Sequence, residues 1–135
     1  MTRELQKSDW KIFFDGLSRD FADWDTTVHI LNDDSGAQIL SEGLPFNGLT
    51  FNEKKDGDTI TLIVGAGIEN HQTHNVFHPT KVAFAGRGRG PAGTLDIEDA
   101  QGNTTLVTFI QPRRVLIEFA GMDLTAVQNT KKRPA

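Results

Sequence analysis

The stretch ENHQTHNVFHP, residues 69–79, holds three of the chain's four histidines, His71, His74 and His78. Imidazole can ligate metals, act as a general acid or base, or respond to pH near neutrality. A zinc or iron site needs three or four ligands converging at about 2.0–2.1 Å. Spacing decides whether these rings can converge. On a helix, four-residue spacing would stack two of them, but Asn70, Asn75, Val76 and Pro79 argue for extended backbone. On a strand, His71 and His74 point to opposite faces. His74 and His78 then share a face, with backbones ~13 Å apart at ~3.3 Å per residue. The expectation is a half-buried strand residue at His74, its ring bonded to nearby groups, with His71 and His78 in solvent. The alternative is a small-ligand or metal site built on His71 and His74. For a metal, a loop at residues 70–73 would have to fold His71 back, with His29 or Glu69 as third ligand.

Other near-motifs carry less chemistry. GRGPAG at residues 88–93 spells G-x-G-x-x-G, but Pro91 lies inside it and the strand-like TLDIED follows where a nucleotide-binding helix should begin. Arg87 and Arg89 are candidates for anion contact, though a short hairpin loop is the simpler reading. A nucleic-acid surface would interleave basic residues with exposed aromatics, and none lies between Gly86 and Phe109. Nucleic acid is therefore not expected as a partner, even with Arg113, Arg114 and the Lys131–Arg133 tail counted. Neither a phosphate-loop lysine motif nor a nucleophile elbow is present. The expectation is a module with no catalytic residues and no cofactor.

Composition narrows the class. The chain has 135 residues, a single-domain length. It contains no cysteine, which removes thiolate metal sites, cysteine nucleophiles and disulfides together. A net charge of −4 disfavours broad phosphate-backbone binding. No run approaches the ~20 apolar residues of a membrane span, so the expectation is a cytoplasmic protein with no membrane partner.

Residues 8–24, SDWKIFFDGLSRDFADW, must position whatever the histidines do. Trp10, Phe13, Phe14, Leu17, Phe21 and Trp24 recur at three- and four-residue steps, which predicts an amphipathic helix capped by Ser8. After Asp25 the period changes to two. TTVHIL, AQILSE, TITLIV and KVAFA read as strands, and GTLDIED with TTLVTFI as a hairpin about AQGN. Pro79 interrupts or ends the strand that holds the histidines. The fold class expected is α+β: one N-terminal helix packed on a strongly twisted antiparallel sheet over about 26–120, with barrel closure left open and a basic tail over 127–135. Residues 113–127 suit strand or helix alike.

With these segments read, the chain resembles a bacterial family catalogued as domain of unknown function 5335. The resemblance rests on TREL, Ser8-x-Trp10 leading to Phe13-Phe14-Asp15, GAQ at 36–38, and Leu44-Pro45 with Gly48. It continues through His71 and His74, Pro79-x-x-Val82 and LDIEDAQGNTTLVTF, and spans about residues 2–110. The basic GRGRGPAG loop departs from a family that tends to be acidic there, and the chain beyond Pro112 has no counterpart in it. The resemblance implies a small bacterial cytosolic protein and supplies no catalytic residues. Many short strands with exposed edges point to a binding or self-association module, its partner another protein or a second copy in a homo-oligomer.

Overall fold

The structure is a computed structural model, and it describes residues 2–34, 36–66, 71–86 and 92–111. Strand β1 (Thr2–Leu5) leads through a 3-10 turn to helix α1 (Trp10–Asp20). Seven strands follow: β2 (Asp25–Asn32), β3 (Gly36–Asn52), β4 (Thr59–Val64), β5 (Gln72–Phe77), β6 (Pro79–Ala85), β7 (Ala92–Asp99) and β8 (Thr104–Ile110). They form one antiparallel sheet in the order β1-β6-β7-β8-β2-β3-β4-β5, which does not close into a barrel. Among the described residues, no helix is long and apolar enough to cross a membrane.

The helix is shorter than its aromatic period implies. It ends at Asp20, and the turn over residues 21–23 places Asp23 at φ 67°. Phe21 and Trp24 nonetheless serve the core, because their rings stack at 4.4 Å after the helix has ended. Ser8 is not the cap; it lies in the 3-10 turn Lys7–Asp9. Trp10, Phe14 and Leu17 are buried, while Lys11, Ile12 and Asp15 are exposed. The helix lies over an aromatic cluster that reaches the sheet through Phe13 against Phe84, and Phe21 against Phe109. Gly93 makes room for that cluster: a Cβ there would meet Phe84 Cζ at 2.8 Å.

Two further boundaries differ from the sequence reading. β1 was not expected, since TREL carries no period of its own; it is a strand because Leu5, Glu4, Arg3 and Thr2 pair with Val82 through Ala85. The break between β5 and β6 falls one residue earlier than Pro79, at His78, which adopts φ 55°. Pro79 opens β6, where its missing N–H is tolerated.

β3 holds the architecture together. Its first half pairs with β2 and its second with β4 on the opposite side, and three bulges bend it between them. Gly43, Leu40 and Asn47 are the extra residues, read from the pairs Thr26↔Leu44, Thr27↔Glu42, Val28↔Ser41, His29↔Ile39, Phe46↔Val64 and Gly48↔Ile63. Gly43 sits at φ 78°, a left-handed conformation that costs glycine little.

The turn leaves backbone groups of β3 unpaired by strands, and neighbours take them up. Phe46 N donates to Trp24 O at 2.7 Å, and Phe46 O accepts from Asp23 N at 3.0 Å. Ser18 on the helix accepts from Leu49 N at 3.0 Å and donates to Leu49 O at 3.3 Å. One hydroxyl thus caps a sheet edge. Ser18→Ala strips both partners from Leu49 and is expected to cost about 1–3 kcal/mol, read as a lower urea midpoint at unchanged slope. A Ser18→Thr control should retain most of the stability.

Candidate functional site

Bulging places Leu40 and Ser41 at one corner of the molecule, where β3 leaves the strands around β2 and enters those around β4. Opposite stand the inward residues of β4 and β5. Val28, Leu40, Ser41, Leu62, Val64 and His74 enclose a cleft of about 260 Å³, with Gln72 and Thr73 at its rim. Val28, Leu62 and Val64 are buried, so the floor is aliphatic. Two larger hollows, about 490 and 640 Å³, lie around the start of the helix among exposed Arg3, Glu4, Lys7, Lys11 and Glu53, and have no such floor.

Polar groups converge on the cleft from two strands, β3 and β5. Ser41 Oγ is shielded from solvent and has no hydrogen-bond partner among the described residues. His74, half-buried in mid-β5, shares a hydrogen bond between its Nε2 and Thr105 Oγ1 at 3.1 Å. Burial holds the His74 imidazole below the usual histidine value of 6.5, and the more distant Asp99 carboxylate acts the other way. Near neutral pH the ring is therefore uncharged, and one nitrogen can donate while the other accepts.

The structure disperses the remaining candidates. His71 precedes β5, is exposed, and has its Nε2 2.8 Å from the Asn47 side-chain amide. That contact ties the end of the β4–β5 connection to a β3 bulge, beside Gly65, whose N donates to Pro45 O at 2.8 Å. His78 is exposed at the β5–β6 joint, its N bonded to Asp58 O at 3.0 Å. His29 follows inward-facing Val28 on β2, so it occupies the opposite face of the sheet from the cleft; its Nδ1 is shielded and unpartnered. The three rings named for a metal thus go to three different neighbourhoods. Among the described residues, no three His, Cys, Asp or Glu side chains are grouped as a metal would require. Arg87, Arg89, Glu69, Arg113, Arg114 and the tail at 127–135 lie outside the described residues.

Sequence reasoning did not single out Ser41 or Thr105. Both look like ordinary strand residues in AQILSE and TTLVTFI, and nothing in a one-dimensional pattern marks a bulge or a contact across the core. On the outward face, Asp96 also carries a shielded, unpartnered Oδ1. Burial first, then neighbouring Glu98, raises its carboxyl above the usual range.

The His74 shift carries a sign. Because the folded pKa lies below the unfolded one, the unfolded chain binds the proton more readily, so stability falls as pH drops below 6.5 toward the folded value. His74→Gln keeps a polar side chain and removes the titration. The difference in urea midpoint between wild type and this variant is expected to shrink or reverse between pH 7.5 and 5. Parallel profiles would show that His74 is not shielded as described.

Comparison with known proteins adds kinship and no chemistry. An uncharacterized protein of Aquifex aeolicus is 25% identical over 111 residues, covering 82% of this chain and 93% of the relative. No solved structure matches. The model of a family of unknown function, DUF5335, matches residues 1–116, six residues past the span that sequence motifs alone suggested, and the chain belongs to that family.

Proposed function

We propose that the protein is a non-enzymatic cytoplasmic binding module whose site is the cleft between β3 and β5, and that it takes a small, uncharged, mainly apolar ligand. One observation carries this reading: Ser41 holds a buried hydroxyl without a partner against an aliphatic floor. A buried unsatisfied hydroxyl costs about 1–3 kcal/mol, and rotation of the Ser41 side chain toward a ligand oxygen or nitrogen in the cleft would offset the cost. Aliphatic walls with a few convergent polar groups are the usual make-up of a small-molecule site. A charged ligand would have to leave water without a counter-charge, since among the described residues no lysine or arginine lines the cleft.

Ser41→Ala tests this through two effects of opposite sign. The unliganded variant is expected to be more stable than wild type by about 1 kcal/mol, because an unsatisfied polar group has gone. Its affinity for alcohols or amides that raise the wild-type melting temperature is expected to fall several-fold. A variant that is both less stable and unchanged in binding would remove the cleft from consideration.

A second reading, self-association, is favoured by a different observation. Among the described residues, 36–43 of β3 have no strand on the side away from β2, and Leu31, Ile39 and Leu40 are exposed beside that edge, Ile39 at 58%. An apolar free edge is a template for pairing with a second copy. Light scattering is expected to show a concentration-dependent dimer that Ile39→Lys dissociates; a monomer at all concentrations would exclude it.

A further inference from the structure

A second cavity, also of about 260 Å³, adjoins the first. It is lined by Ile30, Val76, Phe77, Asn103, Thr105 and, again, His74. The register places the two in line. Val28 and Ile30 are successive inward residues of β2, one in each chamber, and His74 stands between Gln72 and Val76 on β5, lining both. His74, the residue common to both linings, is held to Thr105 Oγ1 through its Nε2 at 3.1 Å. Either chamber alone falls just short of the ~300–1,000 Å³ of typical ligand pockets, while the pair lies within that range.

We infer that the two chambers are halves of one groove beneath the β5 edge, that the His74–Thr105 hydrogen bond is a displaceable sill between them, and that the ligand is a neutral linear amphiphile. This rests on the cleft reading above and adds the shape and class of its ligand. The polar head lies in the first chamber, against Ser41 and His74. The aliphatic tail passes over the sill into the second, along Ile30, Val76 and Phe77.

Charge sets the class. Among the described residues, the ionisable groups lining the two chambers are His74 and Asp99. Asp99 is already occupied: Oδ1 accepts from Gln101 N at 2.9 Å and Asn103 N at 3.0 Å, and Oδ2 from Asn103 Nδ2 at 3.2 Å. A carboxylate or phosphate head in the first chamber would leave water with no lysine or arginine among the described lining residues to balance it. A hydroxyl or amide head meets donors and acceptors of matching strength.

The 1-alkanols from butanol to decanol, titrated calorimetrically into the full chain, test the inference. Affinity is expected to rise roughly four-fold per methylene and to continue past the length one chamber can hold. Thr105→Val keeps the shape of the side chain and removes the sill bond. It should strengthen the long alkanols at least three-fold and leave butanol unchanged. Octanoate at pH 7.5 should bind at least ten-fold more weakly than octanol. A gain that stops at the shortest alkanols in wild type and variant alike would show two separate chambers and overturn the groove, leaving the cleft reading intact. Octanoate binding as tightly as octanol would overturn the neutral class. No binding by any alkanol would remove the cleft reading itself, and the groove with it.

Discussion

A strand of seventeen residues has to serve two sets of neighbours on opposite sides, and the rest of this structure follows from how β3 does so. Hydrogen bonding is obligatory for buried backbone, so each group that β3 releases from one neighbour must be taken up by another. The three bulges release Leu40, Gly43 and Asn47 from strict pairing. Backbone from the helix–β2 connection meets Phe46, and the Ser18 hydroxyl meets Leu49. The helix is thus fixed to the sheet by polar contacts as well as by Phe14 and Leu17. A consequence of the bend is that β4 and β5 face β2 and β8 across the core, with a gap left at the corner.

What could be read in the sequence follows from which interactions are local. The β7–β8 hairpin is legible because its alternation and its turn lie within a few residues of each other, and Leu95, Ile97, Val107 and Phe109 are all fully buried as the pattern demands. The helix start is legible from Trp10, Phe13, Phe14 and Leu17. Its end is not, because Phe21 and Trp24 continue the period while burying themselves from a turn. β1 is invisible in TREL for the opposite reason: the partner that makes it a strand lies some eighty residues away in β6. At His78 the backbone turns left-handed at a non-glycine residue, which composition beside a proline does not announce.

The site divides along the same line. His74 could be named because its residue type is rare and its strand parity calculable. Its partners could not. Thr105 reaches it across the core, and Ser41 faces the cleft through a bulge that no alternation rule anticipates. His29 illustrates the converse: rarity drew attention to it, yet parity with buried Val28 sends it to the far face. Chemical distinctiveness is legible in one dimension, and convergence is not.

Stability offers a reason to look at the corner first. Most strand residues here agree with their surroundings: Ile60, Leu62, Leu95, Ile97 and Val107 are apolar and buried. Ser41 is buried as deeply as Leu5, both at 8%, yet its hydroxyl has no partner among the described residues. Alanine would fill the same position at lower cost, with the same backbone and no orphaned oxygen. Nor does the bulge at Leu40 require a hydroxyl beside it, since a bulge is a matter of backbone count. His74 adds to the same tension, because its half-buried ring is partly desolvated and, among the described residues, bonds Thr105. Local choices that oppose the stability of their own fold are expected where a site must stay open to something else, and here two of them, Ser41 and His74, face one cleft.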